Sequence, residues 1–225
     1  REVGVDVLHG WGMTEMSPIG STSLLAPKHR DLPRAEQVKV LAKQGRALPG
    51  IQMRLVDPAG KVLPWDGRSS GDLHVRGPWG IDSYYRMDKS PLIDGWFPTG
   101  DVANIDADGY MQITDRSKDV IKSGGEWISS IDIENVAMAH PAIAEAAAIA
   151  VPHPKWDERP LLVVALKAGQ TLSAQELLGF YEGKIAKWQI PDDVVFVPEL
   201  PHTATGKVLK AKLREQYRSH QLAGT

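Results

Sequence analysis

Three short segments carry polar side chains that a fold alone would not require, and the first is GWGMTE at residues 10–15. Two glycines on either side of an aromatic residue let the backbone pass close to a flat ligand. The Thr14 hydroxyl suits a phosphate oxygen, and the Glu15 carboxylate suits a hard cation such as Mg²⁺. A loop with a buried Trp11 and a Thr-Glu helix start explains the same residues equally well. The hexapeptide alone leaves both interpretations open.

The second segment is Thr99-Gly100-Asp101, at the foot of a predicted hairpin. An acidic side chain that follows a glycine at the end of a strand can accept hydrogen bonds from both hydroxyls of a ribose, as acidic residues do in dinucleotide folds. An ordinary Asx turn is the simpler interpretation when the tripeptide is taken in isolation.

The third segment is PHTATGK at residues 201–207. Its Gly-Lys pair is typical of a phosphate loop, but that motif needs glycine at position 201 and serine or threonine at position 208. The sequence has Pro201 and Val208, which excludes the motif. What remains is a flexible loop that presents Lys207 just before a helix, with a solvated lysine as the default interpretation.

A further polar run, HPKWDER at residues 153–159, carries no site of its own. His153 and Asp157 have neither the spacing nor the neighbours of a metal site. Trp156 is interpreted as a core or domain-surface aromatic residue.

The composition excludes several functional classes. Apolar residues make up 42% and charged residues 24%, with 26 basic against 28 acidic side chains, so no global field favours a nucleic-acid or membrane partner. The absence of cysteine excludes disulfides and thiol catalysis. With no signal peptide and no apolar run of membrane-spanning length, the prediction is a cytoplasmic protein without a transmembrane segment. The first residue lies just ahead of a strand-like run and is not methionine, which indicates a piece of a longer protein.

The predicted fold class is α+β with two domains. Up to residue 114, alternating segments and turn signals predict the short strands of a barrel or sandwich, with residues 21–46 as an irregular loop. The Asp-Gly pair at 108–109 predicts a hairpin. After residue 116, two or three strands alternate with three helices in a small α+β domain. The predicted domains are therefore 1–115 and 116–225.

Taken together, the motifs resemble the adenylate-forming superfamily of acyl-CoA synthetases, peptide-synthetase adenylation domains and luciferases. The matching segments follow the family's order at about its spacings: GWGMTE, GWFPTGD, DRSKDVIKSGGEWIS and PHTATGK. Two segments, KDVIKSGGEWISS and AVPHPKWDERP, are most similar to fatty-acyl-CoA ligases of the medium- to long-chain group. The resemblance is to the C-terminal half of that family, without its upstream phosphate loop and most of its acyl pocket.

The resemblance implies an AMP-forming acid–thiol ligase, which uses ATP and Mg²⁺ to convert a medium- to long-chain acid into an acyl-adenylate and then passes the acyl group to CoA. It makes residues 1–115 the end of a large AMP-binding domain and residues 116–225 a small mobile domain that rotates between the two steps. The implied catalytic residues are Lys207, Thr14 and Glu15, with Glu15 as the metal ligand. The implied nucleotide-binding residues are Gly10, Trp11, Gly12, Met13, Thr14, Asp101, Arg116 and Lys207. Lys118 is the implied hinge, and the implied CoA-binding residues are Lys122, Ser123, Gly124, Gly125 and Glu126.

Two other functions fit the same motifs. One is an adenylation domain that loads an amino or aryl acid onto a carrier protein, and the other is a non-catalytic nucleotide-binding fragment. The identity of the acid also stays open, with short thioether acids and aromatic acids as alternatives, and so does a homodimer of the full-length protein. Without the phosphate loop, the isolated chain is expected to form little or no acyl-CoA.

Overall fold

The computed structural model describes residue 5 and residues 7–222. The chain divides into two compact units, Arg1–Ser117 and Lys118–Thr225. The last residue of the first unit is thus Ser117, where the sequence placed the boundary after Asp115. The strand predicted at residues 3–10 falls partly outside the described residues, and residues 7–9 lie outside any strand.

The described part of the first unit contains two antiparallel sheets and a short helix. Its strands are β1 (Gly10–Gly12), β2 (Ile19–Thr22), β3 (Arg46–Ala47), β4 (Gln52–Val56), β5 (Gly71–Arg76), β6 (Phe97–Ile105) and β7 (Met111–Arg116). The sheet orders are β1-β2-β3 and β4-β5-β6-β7. Gly45 and Met111 join the two sheets, because the backbone N–H of each donates to the carbonyl of the other. The strand-rich architecture predicted for this region is confirmed.

Alternation along the strands explains the core of this unit. Met53 and Leu55 on β4 and Leu73 and Val75 on β5 are buried in one cluster, which also contains Trp11. The residues between them on each strand face the other way, as a period of two requires.

Helix α1 (Arg34–Leu41) corrects the prediction of an irregular loop over residues 21–46. None of its residues is buried, so the helix has no apolar stripe from which a period of 3.6 could be recognised.

The hairpin of β6 and β7 positions the residues of the second motif. One carboxylate oxygen of Asp106 accepts hydrogen bonds from the backbone N–H of Asp108 (2.9 Å) and of Tyr110 (3.0 Å). Gly109 follows with φ of 83°, which a glycine adopts without strain. The resulting register places Asp101 directly opposite Arg116.

The second unit packs helices on both faces of one sheet. Its elements are β8 (Ile121–Ser123), β9 (Glu126–Ile128), α2 (Ser130–Met138), β10 (Ile143–His153), β11 (Asp157–Leu166), α3 (Ala174–Phe180), β12 (Asp193–Phe196) and α4 (Lys210–Gln216). The sheet order is β10-β11-β8-β9, with β12 parallel to β11. Leu162 and Val164 of β11 lie in a different apolar cluster from Leu161 and Val163, so both faces of the strand are buried. This double burial explains why the strand is a continuous apolar run.

The α+β class is confirmed, but the second unit has more strands than predicted. Five strands lie in its described part, where two or three were expected. The difference comes from the short pair β8 and β9, and from β10, whose sequence fitted a helix as well as a strand. In the sequence, Ser173 followed three residues later by Glu176 predicts a capping box at the start of α3. The capping box is present, since Ser173 accepts from the Glu176 N–H and the Glu176 side chain accepts from the Ser173 N–H.

His74 on β5 makes the stability of the first unit depend on pH. Burial and the neighbouring Arg54 guanidinium lower the pKa of His74, against the Asp72 carboxylate, which raises it. As the pH falls through about 6.5, His74 is protonated in the unfolded chain before it is protonated in the folded one. Proton binding then favours the unfolded chain, so the free energy of unfolding decreases. We expect the melting temperature to fall over this range, and to fall less in His74→Gln. An equal fall in both proteins would contradict the assignment, and His153→Gln in the other unit is the matched control.

Candidate functional site

Three of the predicted nucleotide-binding residues, Trp11, Asp101 and Arg116, form one hydrogen-bonded group that we call the aspartate cluster. The Trp11 indole N–H donates to one oxygen of Asp101 at 2.9 Å, and the Arg116 guanidinium lies 2.9 Å from the other. Asp101 is 3% exposed and Trp11 8%, whereas more than half of the Arg116 side chain is exposed. A buried carboxylate held in this way keeps further lone pairs that can accept hydroxyl donors.

The glycines of the first motif have a steric reason. A Cβ at Gly12 would lie 2.0 Å from the Pro18 carbonyl oxygen, where β1 and β2 approach each other. Outside the motif, a Cβ at Gly20 on β2 would lie 2.4 Å from the Trp11 ring, so the indole packs directly against the backbone of this strand. The glycines let β1 and β2 come close enough to hold the Trp11 indole in place, and the indole N–H then donates to Asp101.

The second motif lies inside β6 and not at the end of a strand as predicted, and Thr99 fixes the backbone next to the same carboxylate. The Thr99 hydroxyl donates to the Leu73 carbonyl (2.9 Å) and accepts from the Asp101 N–H (3.1 Å). Gly100 has φ of 75°, and nothing lies within 4 Å of where its Cβ would be. The glycine is therefore required by the backbone conformation and not by crowding.

Thr14 and Glu15 lie on a single helical turn (Thr14–Met16) after β1. Thr14 is exposed, and Met13 packs in part against the core of the first unit. The Glu15 carboxylate accepts a hydrogen bond from the Tyr84 hydroxyl at 2.7 Å, and the Glu15 carbonyl accepts one from the Ile81 N–H. The hydrogen bond to Glu15 is the main cause that raises the pKa of Tyr84.

The fit of Mg²⁺ to these residues depends on Glu15. In the described part of the chain, no group of three or more histidines, cysteines and carboxylates could hold a metal by itself. Mg²⁺ commonly takes one or two carboxylates and completes its shell with water and substrate phosphates. Glu15 can supply one such ligand, because only one of its two carboxylate oxygens has a hydrogen-bond partner among the described residues. The donor set therefore suits Mg²⁺ that arrives with a polyphosphate.

The predicted CoA-binding residues form a tight hairpin in the second unit, the glycine hairpin (residues 122–126). Gly124 and Gly125 have φ of 60° and 88°, and positive φ at both central residues is what a two-residue type I′ turn requires. A Cβ at Gly124 would lie 2.8 Å from the Trp156 ring, whereas a Cβ at Gly125 would meet nothing within 4 Å. Of the flanking residues, Lys122 and Glu126 are exposed and Ser123 is buried.

Lys207 lies in a separate loop of the second unit, the lysine loop (residues 201–207). The Thr203 N–H donates to the Lys207 carbonyl (2.8 Å), and the Lys207 N–H donates to the Thr203 hydroxyl (3.2 Å). His202 at the start of the loop lies 2.8 Å from the Glu145 carboxylate. The Lys207 side chain itself is exposed, with no hydrogen bond or ion pair among the described residues.

The helix that follows the lysine loop, α4, is anchored by a largely buried lysine. The Lys210 ammonium lies 2.6 Å from the Glu134 carboxylate and donates to the Ser130 hydroxyl at 2.7 Å. The Lys207 ammonium is thus without a partner among the described residues, whereas the Lys210 ammonium, three residues later, is bound to Glu134 and Ser130. Lys118, the predicted hinge, is exposed and is the first residue of the second unit.

Sequence reasoning missed three residues that contact the predicted site residues in space but lie far from them in the sequence. Tyr84, which binds Glu15, is one tyrosine of an unremarkable SYYR run, and no local signal distinguishes it. Arg159 and Trp156 contact the glycine hairpin. Both belong to the HPKWDER run, which the sequence led us to interpret as carrying no site of its own.

Two family models match the chain. Residues 1–85 match the AMP-binding enzyme model, and residues 132–207 match the model of the AMP-binding enzyme C-terminal domain. No helix in the described part of the chain is long and apolar enough to cross a membrane.

Curated relatives and solved structures agree with these matches. The 3-methylmercaptopropionyl-CoA ligase of Ruegeria pomeroyi is 59% identical over 216 residues, which are 96% of this chain and 40% of the relative. The medium-chain-fatty-acid–CoA ligase of Ectopseudomonas oleovorans is 50% identical over 95% of this chain and 39% of its own length. The crystal structure of ATP-bound MatB from Rhodopseudomonas palustris matches with a TM-score of 0.77 at 35% identity, over 96% of this chain and 41% of that one. The chain therefore spans about 40% of the length of the curated relatives it matches.

Proposed function

Because the chain belongs to the AMP-binding enzyme family, we propose that it forms part of an AMP-forming acid–CoA ligase. The complete enzyme, meaning this chain together with the rest of the relatives' length, uses ATP to activate a carboxylic acid and transfers the acyl group to CoA. The observation that carries the proposal is the aspartate cluster, a buried carboxylate in the middle of β6, oriented by an indole on one side and a guanidinium on the other.

In this proposal the first unit binds the nucleotide. Asp101 accepts hydrogen bonds from the ribose hydroxyls of ATP, and the exposed Arg116 beside it reaches the same sugar. Thr14 contacts a phosphate oxygen. Gly10, Gly12 and Met13 shape the backbone around the indole of Trp11, which is the aromatic surface beside the adenine and the acyl group.

The first chemical step needs positive charge at phosphorus. The acid's carboxylate oxygen attacks the α-phosphate of ATP, an acyl-adenylate forms, and pyrophosphate leaves. Two anions approach each other in this step, so their repulsion must be offset where the new bond forms. The free ammonium of Lys207 provides this charge. Mg²⁺, when bound through Glu15, supplies further neutralisation of the phosphates.

The second step needs room for a thiol. The CoA sulfur attacks the acyl carbonyl, AMP leaves, and a thioester forms. Lys207 and the glycine hairpin both belong to the second unit, so we propose that this unit is a mobile domain that turns about Lys118 between the two steps. Residues 122–126 then contact the pantetheine arm.

The acid we propose is a medium- to long-chain carboxylic acid, because KDVIKSGGEWISS and AVPHPKWDERP resemble the corresponding segments of fatty-acyl-CoA ligases. The similarity to the Ectopseudomonas oleovorans ligase supports a medium-chain acid. A short thioether acid is the second candidate, because the higher identity to the Ruegeria pomeroyi ligase favours it.

A panel of acids tests the proposal. In the complete enzyme, we expect ATP-dependent AMP release with free CoA, and a kcat/KM that is highest for octanoate among octanoate, palmitate, cinnamate and 3-methylmercaptopropionate. A higher value for 3-methylmercaptopropionate would select the second candidate. Adenylate formation without transfer to free CoA would instead indicate loading of a carrier protein, and AMP binding without any turnover would indicate a binding module.

A further inference from the structure

The glycine hairpin is held by one short stretch of chain, which we call the clamp segment (residues 156–159). The Trp156 carbonyl accepts from the Gly124 N–H at 2.8 Å, and the Trp156 indole covers the α-carbon of the same glycine. Two residues earlier in the hairpin, the Lys122 N–H donates to the Glu158 carboxylate at 2.8 Å. Two residues of the hairpin, Lys122 and Gly124, are therefore each hydrogen-bonded to the segment.

Arg159 makes the remaining contact, with Ser123. One terminal nitrogen of the Arg159 guanidinium donates to the Ser123 hydroxyl at 3.1 Å and to the Trp188 carbonyl at 2.7 Å. The Arg159 side chain is 11% exposed, and Ser123 is buried. This hydrogen bond thus lies away from solvent, where it is stronger than a surface contact.

The guanidinium is itself fixed by a second set of acceptors. Its Nε donates to both oxygens of Asp192 at 2.9 Å, and its other terminal nitrogen donates to Asp192 and to the Ile190 carbonyl. Every N–H of the arginine fork therefore has an acceptor, which leaves the side chain with a single arrangement. Because the guanidinium is fixed, its hydrogen bond also fixes the position of the Ser123 hydroxyl.

We infer that Arg159 is a positioning residue for the CoA-dependent step, and that it acts by holding Ser123 and thereby the glycine hairpin. This inference rests on the proposed function of the hairpin. A two-residue turn of two glycines is flexible in isolation. The clamp segment offsets that flexibility, so the hairpin is already in one conformation when the thiol arm arrives, and no binding energy is lost in ordering it.

The inference is tested by assaying the two half-reactions separately in the complete enzyme. Arg159→Lys keeps the positive charge but loses the fork that donates to Ser123, and it changes no residue of the glycine hairpin. We expect it to lower kcat/KM for CoA about tenfold with pre-made acyl-adenylate, the effect of one hydrogen bond to a charged group. Adenylate formation from acid and ATP should stay within about twofold of wild type, within the tolerance of an uncoupled change. Ser123→Ala removes the acceptor of the same hydrogen bond, and it should lower the CoA step in the same direction.

Two features of the design keep the outcomes apart. Adenylate formation depends on Lys207 of the same unit, so its retention shows that each variant is folded. Arg218→Lys, an exposed arginine of that unit, is the matched control and should change neither step. Equal losses in both steps, or no loss in the CoA step, would overturn the role of Arg159. A wild-type enzyme that transfers nothing to CoA would overturn the proposed function, and the inference with it.

Discussion

Replacing Lys207 with alanine is expected to lower the rate of adenylate formation by about 10²–10³-fold, by analogy with the loss of one donor aimed at developing charge. Because the lysine loop is closed by the backbone and the hydroxyl of Thr203, removal of the Lys207 side chain breaks no contact with the described residues. The loss should therefore be chemical and not structural. Transfer from synthetic acyl-adenylate to CoA should be spared.

The reciprocal variant is Gly125→Leu. The site of its Cβ is open, so a side chain there disturbs nothing within the unit except for the strain of φ at 88°. It would instead occupy the space that the pantetheine arm needs. Adenylate should still form in this variant but should not pass to CoA.

Both variants are measured with acid plus ATP, and separately with synthetic adenylate plus CoA. Lys212→Ala, an exposed lysine five residues further on, is the matched control for Lys207→Ala and should resemble wild type in both assays. Equal loss of both steps in each variant would contradict a mobile domain that uses different residues for the two steps.

Replacing Asp101 with alanine is expected to weaken ATP binding tenfold or more. Two ribose hydroxyls lose a charged acceptor, and hydrogen bonds to charged groups contribute about 1.5–3 kcal/mol each. The loss is enlarged by the structure, since the Trp11 indole N–H is left without its acceptor in a buried position. Calorimetry with AMP and the KM for ATP are the two measurements.

A matched control distinguishes a ribose contact from general loss of an acidic side chain. Asp66→Ala removes a carboxylate that only closes its own turn, through the N–H groups of Arg68 and Ser69. We expect ATP binding to be unchanged in that variant. An unchanged KM for ATP in Asp101→Ala would show that the ribose lies elsewhere.

The sequence by itself determined the features that depend on neighbouring residues. The Asp-Gly turn between β6 and β7, the capping box of α3 and the alternation of β4 are local patterns, and the structure contains all three. The four motifs also sufficed to recognise the family, which the two family models confirm. A motif can be recognised from the sequence because it, too, is defined by the types and spacing of neighbouring residues.

Only the tertiary structure decided which motif residues meet. Trp11 and Asp101 are 90 positions apart, and they touch because the fold of the first unit brings β1 next to the middle of β6. Tyr84 reaches Glu15 across 69 positions, through a loop with no regular pattern. The periods of 2 and 3.6 residues report which face of an element is apolar but not which element lies opposite it.

The same limit applies to the elements that the sequence left ambiguous. The alanine-rich run of β10 fits either period, and its pairing with β11 over the whole strand makes it a strand. Arg159 shows the consequence for function. Its charge was visible in the sequence, but its partners Ser123 and Asp192 lie 36 and 33 positions away. Contacts at such separations form only once the sheet has folded, so no local pattern of residues can encode them.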